Sequence, residues 1–144
     1  MTNVLLAIIQ DIIKVPDEFF TEIKHQILGL LLEDLITCFI YNSQRFHGDL
    51  EVFKLRTTDG LHEVDVVVHD KKDDVYDLYE VKYSSKRKTD FCKHLFVDYP
   101  FMKNIRNRYV IYNGETYDTG SVKYVNAFEF LSSPAFRRPQ YITM

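Results

Sequence analysis

Tryptophan is absent from this chain, and cysteine occurs only twice, at Cys38 and Cys92. The two cysteines lie in unrelated contexts, which excludes a disulfide framework and a Cys-x-x-Cys zinc signature and points to a reducing, cytoplasmic setting. Neither has a neighbour of the kind that activates a nucleophilic thiol, so both read as core fillers. A Gly-x-x-x-x-Gly-Lys-Ser/Thr loop is missing as well, and ATP binding is not expected. There is no excess of positive charge: 18 Lys/Arg against 21 Asp/Glu give a net charge of −3. That balance excludes nucleic-acid binding by overall basicity and leaves only a local patch for it. Long hydrophobic runs are also missing. The Val4-Leu5-Leu6-Ala7-Ile8-Ile9 stretch is far short of a membrane span and lacks the basic lead and small-residue cleavage site of a signal peptide. No repeat or low-complexity segment is visible.

What is present suits one packed domain. The chain has 144 residues, 46% of them hydrophobic, with eleven Phe and ten Tyr to fill a core, enough for one domain and too few for two. Val4/Leu5, Ile8/Ile9 and Ile12/Ile13 recur every four residues, the stripe of a short amphipathic helix that Val15-Pro16-Asp17 interrupts. Residues 1–16 therefore read as an N-terminal helix and linker, and 17–144 as the domain proper. The N-terminal stripe is a candidate interface for a second copy or a protein partner. Asp17 is placed to cap a second helix, with Glu18 and Glu22 in its early turns, running to about Asn42. Glu33 shares a face of that helix with Leu30, Ile36 and Ile40. A carboxylate there is either solvated at the helix edge or aimed at a positive partner.

Three strands are expected next, near Leu50–Arg56, Glu63–His69 and Val75–Tyr83, with Thr57-Thr58-Asp59-Gly60 turning the first pair. The polar stretch His69 to Asp77 is too short for a crossover helix and right for a hairpin. Period two points Val64, Val66 and Val68 one way and Glu63, Asp65 and Val67 the other, while Leu78, Glu80 and Lys82 share a side. A hairpin then brings Asp65 beside Glu80, with the Lys82 ammonium next to both. A helix over Asp90 to Lys103, ended or kinked by Pro100, a strand over Arg108 to Tyr112 and another over Ser121 to Val125 complete an αβββαβ order. The tail from Ser132, with Pro134 and Pro139, reads as an extension.

Clustered carboxylates repel one another unless positive charge lies between them. Mg²⁺ or Mn²⁺ fits such a pair, since a hard cation takes oxygen ligands and leaves positions for water and a phosphate. The ammonium of Lys82 would orient or help deprotonate a water, or offset charge building on a phosphoryl oxygen. The same spacing also suits a solvated strand face with an i, i+2 Glu/Lys pair. Lys86, Arg87 and Lys88 crowd the exit of the third strand, and Lys93 and His94 follow. Such a group can grip a nucleic-acid backbone without reading its sequence, or it is a solvated loop. His62, beside the first site strand, is a candidate supporting partner or a structural histidine.

Glu63-Val64-Asp65 followed by Tyr79-Glu80-Val81-Lys82-Tyr83-Ser84-Ser85 resembles the PD-(D/E)XK nuclease superfamily, in which an Asp and a Glu-x-Lys lie on adjacent strands. More closely, the chain resembles the nuclease-like domain of unknown function at the C-terminus of prokaryotic AAA-type ATPases. Gly29-Leu30-Leu31-Leu32-Glu33 looks like that domain's helix signature, and 108–114 and 122–131 look like its closing strands and tail, so the likeness spans Phe19 to Leu131. The resemblance implies a restriction-endonuclease-like α/β fold with a mixed central sheet flanked by helices. It implies metal ligation by Asp65, Glu80, the carbonyl of Val81 and Glu33, catalysis by Asp65, Glu80 and Lys82, and DNA as substrate. Lys86, Arg87, Lys88 and Lys93 would hold that DNA. A non-catalytic module of the same fold, binding nucleic acid or protein, is the alternative.

Overall fold

The computed structural model describes residues 2–14, 21–44 and 48–132. The expected Asp17 cap and the tail beyond Ser132 lie outside them. The N-terminal stripe forms α1 (Thr2–Ile13), whose Ile9 is buried against Leu28 and Leu35 of α2 (Thr21–Gln44). The buried Lys24 ammonium donates to the Ile13 carbonyl at 3.0 Å, satisfying one of the acceptors that a helix end leaves open. On α2, Leu28 and Leu35 face α1, while Leu32, Ile36 and Ile40, spaced four apart, face the sheet.

Strands β1 (Leu50–Arg56), β2 (Glu63–Asp70) and β3 (Val75–Val81) form an antiparallel meander. β4 (Ile105–Tyr112) runs parallel to β3, and the six-stranded mixed sheet closes in the order β1-β2-β3-β4-β6-β5 with β5 (Tyr117–Asp118) and β6 (Lys123–Asn126). Gly60, at φ +74°, turns β1 into β2, a backbone state that a side chain disfavours. Helices cover one face: α2 and the short α3 (Ala127–Ser132) pack Leu32, Ile36, Ile40 and Phe130 on Val66, Val68, Tyr79, Val81 and Ile111. The opposite face, with Val64, Val67, Leu78, Val110 and Tyr112, is covered by Leu95, Tyr99 and Met102 from the stretch between β3 and β4. The fold is thus the expected α/β class, a mixed sheet flanked by helices.

Three expectations are corrected. The helix over Asp90 to Lys103 is instead a 3₁₀ turn (Thr89–Cys92) followed by separate turns. Its backbone bonds are short-range, Leu95 N–H to the Cys92 carbonyl and Met102 N–H to the Tyr99 carbonyl, both 2.9 Å. Two carbonyls that a helix would need are taken by side chains: Tyr99 Oη donates to His94 at 2.6 Å and Arg108 Nε to Leu95 at 2.8 Å. β3 stops at Val81, two residues short of the expected end, although Lys82 N–H still donates to the Ile111 carbonyl at 2.9 Å. The stretch read as a closing tail contains α3, whose first turn is capped by Asn126 Oδ1 accepting from Phe128 N–H at 3.0 Å and Glu129 N–H at 3.2 Å.

Candidate active site

Between Phe53↔Val67 and Leu55↔Val64, β1 spends one residue, Lys54, where β2 spends two, Asp65 and Val66. That bulge reverses the alternation: Val64 joins Val67 on one face of the sheet, not Val66 and Val68 as period two predicts. The Asp65 side chain is re-aimed in consequence. Its Oδ2 accepts the backbone N–H of Val81 at 2.8 Å, so a carboxylate makes the rung of the β2/β3 ladder beyond Val66↔Tyr79.

Glu80 sits one residue before that rung and is 2% exposed. Its Oε2 lies 3.6 Å from Lys82 Nζ. Among the described residues, Glu80 Oε1 is the buried side-chain polar atom left without a hydrogen-bond partner. Burial, then the neighbouring Asp65 charge, push the Glu80 carboxyl up to about 8 against the pull of Lys82. Burial likewise raises Asp65 to about 6, opposed by the Val81 N–H and reinforced by Glu33. Two adjacent carboxylates, short of donors and resisting ionisation, are an arrangement that a cation relieves.

Glu33 reaches toward this pair from α2 but is engaged. Its Oε1 lies 3.2 Å from Lys54 Nζ, which also pairs with Glu63 at 2.7 Å, and Arg56 holds Glu63 at 3.0 Å. Lys54, absent from the sequence reading, thus stands between the helix carboxylate and the strand. Glu33, Lys54 and Asp65 line a cavity of about 560 Å³ with Tyr41 and Phe53. Among the described residues no group of three or more His, Cys, Asp or Glu converges as a metal shell. The donor set on hand is therefore the Asp65/Glu80 pair, and it fits Mg²⁺ or Mn²⁺, which ordinarily take one or two carboxylates with water and phosphate oxygens.

The basic residues divide. Lys82 and Lys88 flank the Phe91 ring, their Nζ atoms 5.9 and 6.0 Å from its centroid. Arg87 lies over Tyr117 at 4.2 Å and, with Lys86, lines a separate cavity of about 680 Å³ beside Asn113 and Glu129. Lys93 is exposed at the edge of a third cavity. His62 and His94 meet through their Nδ1 atoms at 3.2 Å, and burial, then Lys93 and other neighbouring charges, hold His94 below its ordinary value. Neither the bulge nor the role of Lys54 was read from the sequence, since valines on both sides of Asp65 suit either face of the sheet with or without an extra residue. Phe91 was readable as an aromatic among lysines.

Sheet order, crossover and paired carboxylates define a mixed α/β domain with an acidic-basic site at the ends of its central strands. The chain belongs to the family described as "Domain of unknown function (DUF4143)", whose model matches residues 28–130, a domain found at the C-terminus of AAA-type ATPases. The match runs from the buried part of α2 to α3 and takes in every strand of the described sheet. No curated protein and no solved structure matches the chain.

Proposed function

We propose that this domain is a divalent-metal-dependent phosphodiesterase acting on DNA, a nuclease of the PD-(D/E)XK kind. The observation that carries the reading is the buried, unpartnered Glu80 Oε1 beside the ladder-making carboxylate of Asp65. A native chain seldom leaves a buried carboxylate oxygen unpaired without using it. In this reading Asp65 and Glu80 hold Mg²⁺ or Mn²⁺, the Val81 carbonyl adds a ligand, and Glu33 supports the set from α2. The cation, when bound, supplies positive charge to the scissile phosphate and acidifies water. Lys82, steadied between Glu80 and the Phe91 ring, orients the attacking water and offsets charge on the phosphoryl oxygens. Lys88 and Lys93 steady the backbone of the substrate on one side and Lys86 and Arg87 on another.

The test is cleavage of labelled single-stranded, duplex and branched DNA in Mg²⁺ and Mn²⁺, with the Asp65→Ala protein in parallel. Activity abolished by chelator and by the substitution is expected; equal cleavage by both proteins contradicts it. A second reading, a non-catalytic binding module of this fold, draws on the exposed apolar residues of the helix pair, Val4 and Ile8 on α1 and Ile23, Ile27 and Leu30 on α2. Under that reading Ile8→Asp changes oligomeric state or partner capture and Lys82→Ala changes neither.

A further inference from the structure

The stretch from Lys82 to Arg108 differs chemically from the rest of the chain. It holds eight Lys/Arg and only two acidic residues, Asp90 and Asp98, although the whole chain is at −3. Arg106 is committed to Asp77 at 2.7 Å and Lys82 lies 3.6 Å from Glu80, while Lys86, Arg87, Lys88, Lys93 and Lys103 are exposed. This stretch covers the sheet face opposite α2 and borders a cleft of about 340 Å³, where Cys92, Lys93 and Phe96 oppose Val122 and Tyr124.

One solvent-facing ring lines the cleft and a second stands on the strand beside its wall. Phe96 lines it and is 50% exposed; Tyr117, 49% exposed, is the cross-strand partner of Tyr124 in the cleft wall. Each ring carries a guanidinium: Arg108 lies 4.8 Å from the Phe96 centroid and Arg87 4.2 Å from that of Tyr117. Arg108 is fixed there by its bond to the Leu95 carbonyl. An exposed ring alone is ordinary. Paired rings and guanidinium groups on the most basic stretch of an acidic chain combine the two elements of a single-strand binding surface, faces for bases and charge for phosphates. Phe91, next to the cleft residue Cys92, continues the series to Lys82.

We infer that this surface binds an unpaired stretch of nucleic acid, its bases stacked on Phe96 and Tyr117 and its phosphates held by Arg87, Lys88, Lys93 and Arg108, and leads it past Phe91 to Lys82. Duplex is disfavoured because its base faces already stack on one another, and exposing one requires unstacking. The inference rests on the phosphodiesterase reading for the identity of the ligand and narrows its substrate.

The experiment is fluorescence anisotropy of the full chain in chelator with labelled oligothymidylate, the same strand paired with oligoadenylate, and oligouridylate. Oligothymidylate is expected to bind at least about fivefold tighter than the duplex, and Phe96→Ala and Tyr117→Ala each to weaken it about fivefold or more, with Phe96→Tyr retaining affinity. Tighter binding of oligouridylate supports the track and assigns it to RNA. Equal affinity for single strand and duplex, or wild-type binding by both alanine variants, overturns the inference. A chain that binds the single strand but cleaves nothing upholds the track and defeats the enzyme reading; one that cleaves duplex yet binds no single strand does the reverse.

Discussion

Asp65 Oδ2 accepts the Val81 N–H at 2.8 Å, so a side chain at the β2 bulge stands in for a backbone acceptor in the β2/β3 ladder. The one residue is therefore asked to hold strand geometry and to present charge to the site. Its two roles separate by substitution. Asp65→Asn keeps an oxygen for the Val81 N–H, whereas Asp65→Ala leaves that donor unpaired at a cost of about 1–3 kcal/mol. Urea denaturation is expected to rank Asp65→Ala below Asp65→Asn, and both variants are expected to lack the proposed phosphodiesterase turnover.

In chelator, the stability that the Asp65/Glu80 pair contributes is expected to fall as pH rises. Folding raises the Glu80 carboxyl from an ordinary 4.5 to about 8 and Asp65 from 3.8 to about 6, so the folded state binds more protons than the unfolded one across that interval. Stability is then fully present below the unfolded values, near pH 4, and is lost progressively up to about pH 8. Denaturation midpoints over this range check the sign. Glu80→Gln, which cannot ionise, flattens most of the slope.

Lys54 ties Glu33 to Glu63 with its side chain half exposed. Exposed ion pairs contribute little, and Lys54→Met is expected to cost under about 1 kcal/mol in denaturant. Lys54 also favours the charged form of Asp65, so the variant should raise the Asp65 pKa, measurable by carboxyl NMR titration.

Asn126 caps α3 through Oδ1 and donates through Nδ2 to the Gly114 carbonyl at 2.9 Å. Asn126→Asp keeps the cap and loses the donor; Asn126→Ala loses both. Thermal unfolding should place the alanine variant lower, with the lost cap worth about 1 kcal/mol.

Much of this architecture was legible because short β-branched runs alternate with turn residues. β1 spans the expected Leu50–Arg56, and Lys82, just past the end of β3, meets Glu80 at 3.6 Å on the side that period two expects. The Asp65 approach to Glu80 was legible as a neighbourhood but not as a geometry, because valine on both sides of the bulge hides the extra residue. The crossover was misread because Phe91, Leu95 and Met102 carry a helical spacing that side-chain bonds to His94 and Leu95 override. α3 had a signal that went unused: Asn126 with Glu129 three residues on is the pattern of an N-terminal cap. The engagement of Glu33 by Lys54 joins a helix to a strand across 21 positions, and no local pattern encodes it.

The most direct test of the account is calorimetric titration of Mn²⁺ into the wild-type protein, Asp65→Asn and Glu80→Gln, each first shown to be folded. The account predicts one site in the wild type, proton release on binding, and affinity at least about tenfold weaker in each variant, since each removes a charged ligand. Equal binding by all three proteins, or none by the wild type, would contradict it.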